Sequence, residues 1–342
     1  MALVLCAAGV SADGIVSHNF TLNNKGNLRA ASAVKDYLWV SGTKGSIARI
    51  LIKDGKAQET LAFTNTPCPT CDYRGIHAWD SLNAIVIASG MPCVIIKTAN
   101  GGKTWQTVFE QTDSAWFLDA IKFTKNGIGY ALADPINGAV PILTTTNFGS
   151  TWKVKYWKYP YINPPSFYAA SNSNLDKFKG NLNLVGGLNN APFLCQLKET
   201  NDSFTLLADY TGLANNCKDK KEHYFGYYGM YIYKKKIYTA GGSFNCPSEG
   251  QFAQLFTIKS KGFQLVETMP LKGYYSGVWH QKKLHLYFGT NGVLVYHKQK
   301  MIYQDSQVYN GVIAFDKKHI ALVGEKGAVC LLDWVSLNYS KK

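Results

Sequence analysis

Three observations predict that this chain is an all-β protein, a seven-bladed β-propeller. Its apolar residues fall in short runs broken by Gly, Asn, Asp and Lys, the pattern of strands and tight turns rather than of long amphipathic helices. A unit of three such strands recurs seven times within the 342 residues, at a spacing of roughly 45 residues, the length of a four-stranded blade. Two of the units also end in the same turn, T-x-N-x-G-x-T-W.

The units follow one another along the chain. The first runs from Leu28 to Ile50, the second from Tyr73 to Trp105 and the third from Phe117 to Trp152. The fourth is expected to open near Ser166, the fifth near Tyr228, the sixth near Tyr274 and the seventh near Tyr309. The last unit lacks an outer strand, and the alternating segment Ile15 to Leu22 supplies one. Closure by that segment removes the exposed sheet edges of an open array. A solenoid is the competing architecture, but its repeats are shorter and more regular. Residues 13–342 are therefore expected to form a single domain, with residues 1–12 as a possible truncated signal segment.

The shared turns are Thr98 to Trp105 and Thr145 to Trp152. In each, the Asn (Asn100, Asn147) is expected to cap local backbone N–H groups. The Gly (Gly102, Gly149) takes a positive φ, and the Trp (Trp105, Trp152) packs between blades. This pattern resembles the Asp-box, or BNR repeat, with Asn in place of Asp. It is a structural turn and carries no catalytic group. Longer stretches are similar to the BNR-repeat propellers related to the photosystem II assembly factor. They are Tyr73-Arg74-Gly75, Phe117-Leu118-Asp119, Asp134-Pro135, Ala169-Ala170-Ser171-Asn172, Tyr274-Tyr275-Ser276-Gly277 and Val323-Gly324-Glu325-Lys326-Gly327. Gly75 stands where that family tends to carry an acid. The resemblance implies the propeller fold and no agreed reaction.

Composition narrows the function classes. Hydrophobic residues make up 46% and charged residues 17%, which suits a cored globular protein and not a disordered chain. No apolar run reaches the length of a membrane-spanning helix. The net charge is +14, yet arginine occurs only at Arg29, Arg49 and Arg74. Specific nucleic-acid reading leans on arginine forks, so the lysine excess points to loose attraction toward polyanions instead. The apolar segment ending at Val10-Ser11-Ala12 reads as a secretory signal that lacks a basic start. Sequons at Asn19, Asn201 and Asn338, together with eight cysteines, agree with a secreted, disulfide-bearing glycoprotein.

Propeller geometry then sorts the candidate residues. The loops between blades and those joining the second and third strands of each blade share one face. Arg74, Asp119, Asp134, Ser171, Asn172, Ser276 and Glu325 fall there and are expected to rim the channel as a ligand-binding set. The competing reading is that these groups bond the ends of inner strands and channel water. Matching positions predict a Cys217–Cys246 disulfide, and one bridge with a spare thiol among Cys68, Cys71 and Cys93. Cys195 and Cys330 fall in strands and are expected to be buried. A zinc site formed by Cys68, Cys71 and Cys93 with His77 is a lesser alternative, since only one C-x-x-C is present. Lysines crowd the turns of the opposite face, among them Lys234, Lys235, Lys236, Lys282, Lys283, Lys317 and Lys318.

The function expected is a non-enzymatic, secreted binding scaffold that holds a protein, peptide or glycan at the channel face. It needs no cofactor and acts as a monomer. The alternatives are a sialidase-like glycosidase and a sulfated-glycan binder using the lysine face. A sialidase needs three converging arginines, and this chain has three in all. A redox enzyme lacks both a dinucleotide fingerprint and a haem-attachment motif.

Overall fold

Seven antiparallel sheets build the structure, a computed structural model that describes residues 5–10, 16–23, 26–212, 224–246, 250–281, 283–298 and 300–333. The side chains of 5–10 and 16 lie outside this description. Blade 1 comprises Leu28–Val34, Tyr37–Gly42, Ile47–Lys53 and Lys56–Phe63, and blade 2 Asp72–Ala78, Ala84–Ser89, Cys93–Thr98 and Gln106–Gln111. Blade 3 comprises Leu118–Phe123, Gly129–Ala133, Val140–Thr145 and Lys153–Trp157, and blade 4 Leu175–Phe178, Asn181–Leu188, Ala191–Glu199 and Phe204–Thr211. Blade 5 comprises Phe225–Tyr233, Lys236–Ser243, Phe252–Lys259 and Gly262–Pro270, and blade 6 Gly277–Gln281, Leu284–Gly289, Gly292–His297 and Lys300–Asp305. Blade 7 takes Tyr309–Ala314, His319–Gly324 and Ala328–Asp333 from the end of the chain and Val16–Thr21 from its beginning.

The innermost strand of each blade packs against that of the next, and the seventh packs against the first, so the ring closes. Closure by the N-terminal segment is as the sequence predicts. Val16–Thr21 pairs with Ala328–Asp333, and Phe20 and Leu22 are buried behind it. Leu5–Val10 adds a fifth strand outside Val16–Thr21. Among the described residues the one helical turn is the 3₁₀ segment Glu325–Gly327, and no helix is long and apolar enough to cross a membrane.

The core lies between blades. Second strands are buried on both faces, as in Gly129–Ala133, because neighbouring blades cover each side. They therefore read as continuous apolar runs rather than alternating ones. One cluster joins Ile85, Ile87 and Cys93 of blade 2 to Leu118, Ile121 and Leu143 of blade 3. Each such side chain contributes roughly 1.5–3 kcal/mol on burial.

The two T-x-N-x-G-x-T-W turns fold alike. Thr104 N–H donates to Asn100 Oδ1 at 3.0 Å, and Thr151 N–H donates to Asn147 Oδ1 at 3.1 Å. The Asn Nδ2 groups donate in turn to the Thr104 and Thr151 hydroxyls, at 2.8 and 2.9 Å, which a carboxylate could not do. Gly102 and Gly149 have φ of 88° and 73°. Trp105 packs edge-on against Trp39 and Phe63 of blade 1, and Trp152 packs on Phe123.

Three blade starts differ from expectation. Blade 5 opens at Phe225 rather than Tyr228, and blade 6 at Gly277 rather than Tyr274. Blade 4 differs more, since its regular inner strand begins at Leu175 rather than near Ser166. Ser166 does pair with Gly187, but residues 167–173 then leave the ladder, which resumes where Val185 N–H donates to Asn174 O.

Candidate functional site

A repeated irregularity of the inner strands builds the channel mouth. In blade 1 the pairing steps from Leu28–Gly42 to Ala30–Ser41 and leaves Arg29 unpaired. The same slip leaves out Arg74, Asp119, Tyr228 and Asn310 in blades 2, 3, 5 and 7. A bulge takes one residue out of the ladder and re-aims its side chain. Five polar side chains of four kinds thus stand at corresponding positions around one mouth. Each is followed by Ala or Gly: Ala30, Gly75, Ala120, Gly229 and Gly311. At Gly75 and Gly229 the close approach explains the choice. A Cβ there would stand 2.8 Å from Asn172 Oδ1 and 2.4 Å from Ser173 Oγ. That pairing of a functional residue with a following small one is the signal that sequence reasoning missed.

The segment 167–173 plugs the channel. Arg74 of blade 2 donates to Ala169 O at 3.0 Å, and Ile121 N–H of blade 3 donates to Asn172 Oδ1 at 2.8 Å. Met230 N–H of blade 5 donates to Ser173 O at 2.9 Å, and Ser171 Oγ donates to Ser276 O of blade 6 at 2.9 Å. Buried backbone groups need such partners, and each bond is worth about 1 kcal/mol net. The Ser171 hydroxyl, the Asn172 side-chain amide and the Ser276 backbone carbonyl thus hold the plug. Below it, a cavity of about 310 Å³ ends at Ser171, Asn172 and Ser173 and is lined further out by His77, Lys122 and Asp176.

The charges at the mouth are partly self-paired. Asp72, which the sequence did not single out, takes Arg29 at 3.3 Å and Arg74 at 2.9 Å. Arg49 sits on the third strand of blade 1, over the Tyr37 and Trp39 rings, and donates to Ser81 O. The three arginines do not converge, so the clamp that a sialidase-like site requires is not formed. Asp119 is fully buried, and neither of its oxygens has a hydrogen-bond partner. Burial holds its carboxyl well above the usual carboxylate range, the Asp134 charge raises it further, and Arg74 opposes both. Burial likewise raises Asp134 to about 6, against a bond from Phe167 N–H at 3.4 Å. The structure thus brings Arg74, Asp119 and Asp134 together beside the plug. Glu325 stands across the ring, in the 3₁₀ turn of blade 7.

Further out on this face a buried aromatic layer lies beneath exposed apolar and amide side chains. Tyr168 stacks on Tyr228 at 4.3 Å, and Tyr228 meets Tyr274 edge-on at 4.9 Å. Tyr224 and Phe244 are exposed and lie 5.0 Å apart, while Ile162 and Met91 are also exposed on loops of this face. Asn163, Pro164, Ser166, Asn189 and Asn190 line a cavity of about 400 Å³. Asn189 and Asn190 both have positive φ and form the tight turn between Leu188 and Ala191.

The remaining candidates fall as follows. Cys68 and Cys71 form a disulfide, and Cys93 is a buried thiol that burial pushes up to about 11. Cys195 and Cys330 are buried thiols. Cys246 is disulfide-bonded, and its expected partner Cys217 lies outside the described residues. Among the described residues no group of acidic, His and Cys side chains is arranged to hold a metal ion. Asn19 lies in a strand paired on both sides, Asn201 lies on an exposed turn, and Asn338 lies outside the described residues. Lys234, Lys235, Lys236, Lys283, Lys317 and Lys318 are exposed on the opposite face, and Lys282 lies outside the described residues.

Comparison with known proteins shows the fold alone. No family model matches the chain, and no curated protein matches its sequence. Among solved structures, YCF48 bound to D1 peptide aligns with a TM-score of 0.60 at 13% identity, over 92% of this chain and 96% of that one. YCF48 from Cyanidioschyzon merolae aligns at 0.62 and 13%, over 93% and 99%. The Neurospora crassa Pan2 WD40 domain aligns at 0.61 and 14%, over 96% and 93%.

Proposed function

We propose that the chain is a binding scaffold that holds a polypeptide segment of a partner across the channel mouth. It is further proposed to be a distant relative of the BNR-repeat propellers that its turns resemble. The observation that carries the reading is the makeup of that face. The plug fills the channel centre, so the mouth provides a shallow surface rather than the enclosed pocket a small substrate needs. On this surface Ile162, Tyr224 and Phe244 are exposed, and the amides of Asn163, Asn189 and Asn190 line a cavity next to Ile162. Apolar anchors with amide partners suit an extended peptide, whose side chains and backbone both need satisfying. Leu82, Phe148 and Tyr233 are exposed on the opposite face as well, but they stand on turns among lysines. A propeller of the same fold, YCF48, has been seen with a D1 peptide bound, which favours a peptide over a glycan here.

The test is selection from a random peptide library on the purified protein. Enriched peptides should bind saturably and lose ~10-fold or more in affinity with Ile162→Asp or Phe244→Asp. A control substitution on an outer strand, Leu207→Asp, should leave them unaffected. Failure to enrich any peptide, or equal loss with the control, would refute the reading.

Polyanion binding through the opposite face is a second reading. It is favoured by the six exposed lysines named above, none of which enters an ion pair among the described residues. Action in an oxidising compartment is likewise proposed, supported by the Cys68–Cys71 bridge and by the oxidised Cys246.

A further inference from the structure

The seams between blades are not equally filled. In seam 1/2, Trp105 comes from the turn joining the third and fourth strands of blade 2. It rests against Trp39 and Phe63 of blade 1, with ring centroids 6.3 and 6.1 Å away. In seam 2/3, Trp152 arrives from the same turn of blade 3 and lies 5.8 Å from Phe123. Seam 5/6 has the matching wall. Tyr238 faces Tyr231 two residues beyond the hairpin pair Tyr233–Lys236, as Trp39 faces Ser32 beyond Val34–Tyr37. What it lacks is the tryptophan of that turn; Trp279 reaches this seam from the inner strand instead, 6.3 Å from Tyr231. The third and fourth strands of blade 6 join in a tight hairpin whose closing pair is His297–Lys300, too short for a T-x-N-x-G-x-T-W turn.

A cavity of about 570 Å³ occupies this place, within the size range of small-ligand sites. Tyr238, Tyr287, Tyr296, His285 and Met269 wall it, and the Glu267 carboxylate borders it. The rings are already ordered. Tyr238 stacks on His280 at 4.0 Å and tilts against His285 at 5.2 Å, and Tyr287 meets Tyr296 edge-on at 6.0 Å. Burial lowers both imidazoles, His280 to about 4, so neither adds positive charge to this wall at neutral pH. Edge-to-face and stacked contacts of this kind reward a flat aromatic guest beyond its apolar area. Lys298 and Lys300 stand at the rim and favour negative charge next to that guest.

We propose that seam 5/6 is a binding site for an indole ring carried next to an acidic group, the guest replacing the tryptophan that the blade 6 turn does not supply. The site is lateral and separate from the channel mouth, so it stands or falls independently of the peptide reading above. Two sources share this chemistry: a free indole carboxylate, and a tryptophan flanked by acidic residues in a polypeptide.

Titration calorimetry of the whole protein tests it, with indole, indole-3-propionate and the blocked peptide Asp-Trp-Asp as probes. Indole-3-propionate should bind saturably and lose ~10-fold or more when Met269→Trp fills the cavity from its own wall. Met269 is only half-buried, so that variant should unfold at the wild-type denaturant midpoint; Leu255→Phe gives a second, milder filling. Lys298→Ala with Lys300→Ala should weaken the two acidic probes and leave neutral indole unchanged. Tighter binding of the peptide than of indole-3-propionate assigns the site to a polypeptide, and the reverse order assigns it to a free carboxylate. Lack of saturable binding by all three probes, or full binding in both filled variants, overturns the proposal.

Discussion

Asp119 is a carboxylate with both oxygens buried and neither one bonded, placed next to a second acid, Asp134. Two such groups cannot both ionise cheaply, and keeping Asp119 protonated relieves the repulsion. Their pKa values in the folded protein lie above the unfolded value of 3.8, with Asp134 at about 6 and Asp119 also well raised. The sign follows from proton binding. The folded state holds protons that the unfolded chain releases, so this contribution is complete below about pH 4 and is lost as pH rises through about 6. Asp119→Asn removes one of the two titrations. Unfolding free energies measured by urea between pH 4 and 7 should fall less steeply for the variant. The difference in slope should approach ~1.4 kcal/mol per pH unit for one proton, and parallel profiles would exclude a protonated Asp119 in the folded state. The motifs Phe117-Leu118-Asp119 and Asp134-Pro135 marked both residues for the channel face. Their burial was not legible, because it depends on a bulge at Asp119 that no local propensity specifies. Asp72 escaped notice for a similar reason, since its role depends on Arg29 of the neighbouring blade reaching it across a seam.

At the scale of elements, two segments of similar length show what can and cannot be read from pattern. Val16–Thr21 was legible as the missing strand because it alternates and the last repeat is one strand short. The plug was not. Ala169-Ala170-Ser171-Asn172 looks like the opening of an inner strand, and only the ring, once closed, provides the four partner blades that hold it out of the ladder. The closing strand makes a sharp prediction. Without it, Ala328–Asp333 becomes an unpaired edge, and the pocket behind Phe20 and Leu22 opens. Each of those side chains is worth roughly 1.5–3 kcal/mol on burial, so deleting residues 1–22 should lower stability by at least ~3 kcal/mol. Size-exclusion chromatography should also show self-association through the bare edge. Deleting residues 1–12 removes only the outermost strand and should leave both properties close to those of the full chain. Equal behaviour of the two truncations would mean that Val16–Thr21 does not close the ring.

For the molecule as a whole, the question is where a net charge of +14 is placed. The ring divides it by face. The channel side pairs its arginines with Asp72, whereas Lys234, Lys235 and Lys236 sit at an exposed hairpin of the other side with no acid paired to them among the described residues. Exposed charges a Debye length apart act almost independently, so a polyanion gains from local density rather than from net charge. That distinction can be measured on a heparin column. Replacing Lys234, Lys235 and Lys236 by glutamine should lower the eluting salt concentration and cut the salt dependence of binding by up to ~3 in log–log slope, about one for each ammonium group removed from the polyanion. Replacing Lys44, Lys158 and Lys272, exposed on the channel side, removes the same charge and should change elution much less. If the two triple variants elute together, net charge alone governs retention and the lysine face is only a solvated surface. If the first elutes earlier, local lysine density rather than net charge governs retention, and the two faces differ in their attraction for a polyanion.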